Sequence, residues 1–183
     1  MFRIVTSCLL LLSFALPPSF ADVDIPQEHW VKNPPGGYCG YAALETIGRF
    51  YNNSRFYEIH HNGKVYGLTS WYSQWESVGM DSINARECLD SLGVQYHLYE
   101  KADMEWLKSQ IKRKIPILVG CKWRMHLTAS GNTRYLWHAI LVVDVDDKYV
   151  KYIDSNDTTK YHWVKIDWFK WAWPGWAIKV YKE

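Results

Sequence analysis

Charge of one sign is what this sequence most lacks: 21 lysines and arginines stand against 19 aspartates and glutamates, a formal net charge of +2. A nucleic-acid-binding chain would carry a strong basic excess on one face, so that class is excluded. Cysteine is scarce as well, with four residues, too few to staple a fold that has no core of its own. The longest apolar run, near the amino terminus, falls short of the about 18 residues a bilayer-spanning helix needs. There is no internal repeat, no low-complexity segment and no linker. A charged fraction of 22% with 48% hydrophobic residues excludes intrinsic disorder. What is plentiful is aromatic: 11 Trp, 13 Tyr and 6 Phe in 183 residues. Such a chain can bury a large core, because a domain of about 150 residues removes roughly 68–70% of its unfolded surface from water.

Residues 1–21 read as an export signal. Arg3 supplies a short positive region, Ile4 to Leu16 an apolar run, and Ser19, Phe20 and Ala21 a small-x-small cleavage site. Cys8 sits inside the apolar run and leaves with it. The expected product, residues 22–183, is one secreted or periplasmic domain that does not insert in a membrane. Cys39, Cys88 and Cys121 then face a compartment that permits disulfides. Three thiols cannot all pair within one molecule, so at least one is free. A Cys88–Cys121 disulfide would leave Cys39 as the odd one; two buried thiols are the alternative.

The stretch from Asp22 to Gly37 is broken by Pro26, Pro34, Pro35, Gly36 and Gly37. Tyr41, Leu44, Ile47 and Tyr51 then recur at helical spacing up to Asn52 and Asn53. A long aromatic and polar loop follows, with a short helix expected near Trp71 to Trp75. Asp81 and Ser82 open a helix that Gly93 stops, and Val94 to Tyr99 alternates as a strand. Asp103 caps a helix reaching Lys114 with Met104, Leu107 and Ile111 on one face. Pro116 to Lys122 reads as a buried strand. Tyr135 to Val145 and Tyr149 to Ile153 read as strands joined by the acidic turn Asp146–Asp147. Tyr161 to Val164, a helical turn over Asp167 to Trp171, and Trp176 to Tyr181 complete the chain. Helices first and an antiparallel sheet after them make a single α+β domain.

Chemistry gathers where the Pro-Pro-Gly-Gly loop meets the first helix. Cys39 stands there, and a helix N-terminus stabilises a thiolate while its free N–H groups suit an oxyanion. A thiolate nucleophile needs a base, and the base an orienting group. His138 lies in a strand and Asp154 ends the next one, 16 residues on, with the turn midway between them. That spacing brings carboxylate and imidazole together across a hairpin; Asn156 or Asp157 could serve in place of Asp154.

Asn33, Pro34, Pro35, Gly36, Gly37, Tyr38, Cys39, Gly40, Tyr41, Ala42, Ala43 and Leu44, then Trp137 to Val143, then Tyr152, Ile153 and Asp154, resemble a papain-like cysteine peptidase of the C39-like kind. These peptidases are named for the bacteriocin-leader-processing domain of certain exporters. The resemblance covers most of residues 22–183. It implies a papain-like fold with the nucleophile at a helix N-terminus packed on an antiparallel sheet. It also implies Cys39 as nucleophile, His138 as general base and Asp154 as orienter, with a peptide or protein substrate and no cofactor. Family members usually carry Gln six residues before the cysteine, donating to the oxyanion hole. Asn33, one methylene shorter, holds that position here, so either the loop compensates, or Gln27 reaches in, or oxyanion stabilisation is weak. The acidic residue that often precedes the cysteine is replaced by Tyr38.

Trp137 beside His138, and Trp123 after the central strand, are the aromatic candidates for gripping substrate, against packing as the other use of so many rings. No metal site is expected. His60–His61 lacks partners at ligand spacing, and Asp144, Asp146 and Asp147 lack the Gly and Glu of a calcium loop. Competing expectations share this chemistry or abandon it: a cell-wall amidase, an acyltransferase in which an amine replaces water, or an inactive papain-fold binding module with an aromatic cleft. Oligomeric state is not legible.

Overall fold

The computed structural model describes residues 22–34, 38–57, 59, 80–127 and 133–183, the side chains of 123–127 and 133–136 excepted. The expected export signal, Gly36–Gly37, the His60–His61 pair and the expected helix near Trp71 and Trp75 lie outside the described residues.

The elements, in chain order, are α1 (Cys39–Phe50), α2 (Ser82–Ser91), β1 (Tyr96–Tyr99), α3 (Met104–Lys112), β2 (Ile117–Leu127), β3 (Thr133–Val145), β4 (Tyr149–Asp154), β5 (Asp157–Lys165), α4 (Ile166–Ala172) and β6 (Ala177–Val180). The strands form one sheet in the order β1-β6-β2-β3-β4-β5, each neighbouring pair antiparallel. The α+β expectation therefore holds.

α2 and α3 start at the capping residues that the sequence marks. Asp81 accepts the Asn84 N–H at 2.8 Å to cap α2, and Asp103 accepts the Trp106 N–H at 2.7 Å to cap α3. Tyr38 caps α1 without a side-chain hydrogen bond, so the first N–H groups of that helix stay available to Cys39 and its surroundings. Residues Cys39 to Gly48 are all buried, and Leu44 and Ile47 pack into the core with Ile117, Val119, Ile140 and Val142 of the sheet. Buried Glu45 pairs with the partly exposed Arg49 one turn on, at 2.7 Å.

Strand limits depart from the periodicity in two instructive places. β2 was expected to stop at Lys122 but continues to Leu127 through a bulge between Lys122 and Arg124. β5 starts at Asp157, four residues before the expected Tyr161, because it pairs with β4 through polar residues that show no hydrophobic alternation. A second bulge lies between Val142 and Asp144, where β3 pairs with β4. The β3–β4 turn is the expected one, with Asp146 Oδ1 accepting the N–H groups of Lys148 and Tyr149.

The segment from Asp22 to Pro34 runs back across the sheet. The Val23 N–H donates to the Val143 carbonyl at 2.8 Å, the Asn33 N–H to the Ser155 carbonyl at 2.7 Å, and Lys151 Nζ lies 2.5 Å from Asp22 Oδ2. No described helix is long and apolar enough to cross a membrane.

Candidate active site

The first turn of α1 presents Cys39 to the middle of β3. Cys39 is 4% exposed, and its Sγ accepts the Ala139 N–H at 3.4 Å. Gly40 permits the approach of the next wall: a Cβ there would stand 2.7 Å from Met80 Cβ. The thiol is also hydrogen-bonded to His138. Burial pushes the Cys39 thiol up, but the His138 hydrogen bond and charge, with the Ala139 and Gly40 N–H groups, hold it below its ordinary value.

His138 is itself 6% exposed, and its Nε2 lies 2.7 Å from Asp154 Oδ1. With Nε2 turned to the carboxylate, Nδ1 is the nitrogen left for the thiol. Burial disfavours the imidazolium, yet hydrogen bonds to Asp154 and Cys39 and their charges raise its pKa to about 9. Burial likewise opposes ionisation of Asp154, and the His138 hydrogen bond and charge, with the Asn156 N–H, keep it below the usual carboxylate range. The three groups thus favour a thiolate, an imidazolium and a carboxylate in line. By contrast, burial pushes Cys88 and Cys121 up to about 12, and both are free thiols, which decides against the Cys88–Cys121 disulfide.

Asp154 rather than its neighbours meets the imidazole. Asp157 is engaged by Thr159 and lies 3.4 Å from His162. Asn156 does join the site, its Nδ2 3.3 Å from His138 Nε2 and its Oδ1 accepting from Asn33 Nδ2 at 2.9 Å. Asn33 is thereby brought to the imidazole side of the site, with a backbone hydrogen bond to Ser155 and a buried Oδ1 that has no partner. Nε2–H donates to Asp154 and offers no lone pair to Asn156. Turning both carboxamides satisfies it: Asn156 oxygen accepts from Nε2–H, Asn33 oxygen from Asn156, and an Asn33 N–H replaces the unpaired oxygen. Gln27 does not reach in, since its side-chain amide donates to the Thr158 and Thr159 carbonyls at 2.9 and 3.2 Å.

A cleft of about 340 Å³ opens beside His138, lined by Trp137, Ala139, Gly120, Met80, Pro174 and Trp176, and by Asp81, Ser82 and Glu100. Trp137 is 45% exposed and forms part of this wall. Trp123 is the extra residue of the β2 bulge, opposite the Trp137–Leu136 step of β3; its side chain lies outside the described residues. Sequence reasoning missed Trp176 and Gly120. A glycine inside a buried central strand was the available signal, for it marks a close approach, and a Cβ at Gly120 would stand 3.0 Å from Trp176 Cε3.

No family model and no curated protein matches the sequence. Solved structures do share the fold. The peptidase domain of Streptococcus ComA, a bi-functional ABC transporter involved in a quorum-sensing pathway, aligns with a TM-score of 0.62 at 18% identity, over 84% of this chain and 97% of that one. A double glycine motif protease from an AMS/PCAT transporter, crystallised with the leader peptide, aligns with a TM-score of 0.57 at 14% identity, over 87% and 94%. A chain from Bacillus anthracis, described as C39-like, gives 0.54 at 13%, over 88% and 96%. The chain therefore shares the fold of these peptidase domains.

Proposed function

We propose that this protein is an exported cysteine hydrolase that cleaves a peptide or isopeptide amide through an acyl-Cys39 intermediate. The observation that carries the reading is the chain of contacts from Cys39 through His138 to Asp154, at the head of α1 and beside an open cleft. The Cys39 thiolate attacks the substrate carbonyl, and the oxyanion is held by N–H groups at the helix start and by the Asn33 amide in its turned orientation. Collapse breaks the C–N bond as imidazolium gives its proton to the leaving amine. Neutral His138 then takes a proton from water as it adds to the thioester, and the acid departs with the thiolate restored. Asp154 holds the ring and its charge throughout. No step calls for a cofactor.

Export rests on residues 1–21, and the reading expects a processed chain beginning at Asp22, which intact mass of the protein recovered from cells checks. Hydrolysis is tested by incubating the purified protein with a mixture of unstructured peptides and following new termini by mass spectrometry. Cleavage that disappears in Cys39→Ala supports the reading, as does a thioester adduct trapped on Cys39. A wild-type protein whose Cys39 is no more reactive than Cys88 or Cys121 overturns it.

A second reading is favoured by the unturned orientation, in which Asn33 Nδ2 donates to Asn156 Oδ1 at 2.9 Å and is spent on that contact. A site without that donor would bind an extended peptide in the aromatic cleft and not turn it over. Saturable peptide binding equal in wild type and Cys39→Ala, with no cleavage in either, identifies that case.

A further inference from the structure

The cleft next to the nucleophile is asymmetric in charge. Its lining is largely apolar, with Trp137, Trp176, Met80 and Pro174, and it also carries two carboxylates, Asp81 and Glu100. No lysine or arginine is among its described lining residues. A chain of hydrogen bonds fixes Glu100: Trp176 Nε1 donates to Ser82 Oγ at 2.8 Å, and Ser82 Oγ donates to Glu100 Oε1 at 2.6 Å. Glu100 Oε2 accepts no hydrogen bond from a described residue. Asp81 Oδ1 is occupied by the α2 cap, so Glu100 is the carboxylate free to meet a ligand.

We infer that this cleft is a subsite for a cationic side chain, a lysine or arginine of the substrate peptide, seated between the faces of Trp137 and Trp176 with its charge at Glu100. The inference rests on the hydrolase reading for the word substrate, and on the cleft alone for the cation. Indole faces attract an ammonium or guanidinium through the ring quadrupole, and the alkyl stem of either residue suits apolar walls. An acidic residue would meet two carboxylates, and the cation among the described lining residues, the His138 imidazolium, is already engaged by Asp154 and Cys39. Gly120 belongs to the same design, because it lets the Trp176 ring lie against β2 and leaves the cleft its width.

The test uses peptidyl acyloxymethyl ketones with lysine, its uncharged analogue norleucine, or glutamate at one of the three positions before the electrophile. At one position lysine should label Cys39 about tenfold faster than norleucine, with glutamate slowest. In Glu100→Gln the lysine-to-norleucine ratio should fall to about one, and high salt should shrink it in the wild type. Equal rates for lysine and norleucine at every position, in a protein that iodoacetamide labels at Cys39 in acid, overturn the subsite and leave the hydrolase standing. Where iodoacetamide shows Cys39 inert, the indole N–H resonances of Trp137 and Trp176 are followed during titration with acetyl-lysine amide and acetyl-norleucine amide. Shifts with the lysine compound alone uphold the cationic subsite while the hydrolase reading falls; no shift, or equal shifts with both, overturns it.

Discussion

Asp154 reaches His138 diagonally across the β3–β4 hairpin, Oδ1 to Nε2 at 2.7 Å, and a one-residue bulge decides that it does. Near the turn the strands pair Val145 with Val150 and Asp144 with Lys151; past the bulge they pair Val142 with Tyr152 and Leu141 with Ile153. Continued by one step, that register would set Asp154 beside Ile140, on the same face as His138. Without the bulge the register would shift by one, and Asp154 would point from the opposite face. Equal spacing about the turn foretold the pair but gave the wrong reason, since the two residues do not stand directly opposite.

Asp154→Asn keeps the shape of this contact and removes its charge. The imidazolium loses a main support, so the His138 pKa should fall from about 9 towards its ordinary 6.5. Peptide cleavage should drop by about 10²–10⁴-fold at neutral pH, in line with loss of positioned acid–base catalysis. Imidazole titration by NMR beside a cleavage assay checks both. An unchanged titration would mean that Cys39 alone holds the ring charged.

The pH response follows from two opposite displacements. Cys39 ionises below its ordinary value and His138 stays protonated up to about 9, so the ion pair fills the interval between. Iodoacetamide at about pH 5.5 should therefore label Cys39 and leave Cys88 and Cys121 untouched. In His138→Ala only burial and the backbone N–H groups act on the thiol, and labelling there should fall by more than about tenfold. Stability carries the matching sign. The contribution from His138 is complete below about 6.5 and is lost as pH rises through about 9, whereas that from Asp154 is present above its ordinary 3.8 and is lost in acid.

Much of this site was legible because its parts have local signatures. Cys39 follows a Pro-Gly loop and opens an amphipathic helix, and His138 interrupts a run of apolar strand residues. Asp81 and Asp103 announced their helices through capping chemistry. The cleft was not legible, for its walls come from Met80, Gly120, Trp137 and Trp176, positions far apart in the sequence that the fold brings together. Bulges leave no hydrophobic period either, so the true register of Asp154 and the continuation of β2 past Lys122 had no signal. Asn156 was weighed as a rival to Asp154, yet it supplements that residue by bridging His138 and Asn33.

That bridge makes Asn33 separable into two roles by substitution. Asn33→Ala removes both the contact to Asn156 and any oxyanion donor, and cleavage should fall by about 10²–10³. Asn33→Gln adds the methylene that the family pattern carries and should restore or raise the rate. Asn156→Ala keeps the Asn33 amide but frees it from its partner; its effect should be confined to the His138 titration and remain under about tenfold in rate. A site that needs no donor would show all three variants equal to wild type.

The amino-terminal segment should control the triad from a distance, through the bulge. Val143 is the residue skipped in the β3–β4 register, and its carbonyl accepts the Val23 N–H at 2.8 Å. Both residues are almost wholly buried, so removing the donor leaves a carbonyl without water or a partner. Val23→Pro does that, at about 1–3 kcal/mol for the unpaired group, whereas Val23→Ala keeps the N–H and loses only methyl packing. Both should lower Tm, by roughly 2–4 °C for each kcal/mol in a chain of this size. Only Val23→Pro should also loosen the register that sets Asp154 against His138, seen as a lowered His138 pKa and slower labelling of Cys39 in acid. If the proline and alanine variants titrate alike, the bulge is held by the β3–β4 hairpin itself and the amino-terminal segment contributes stability alone.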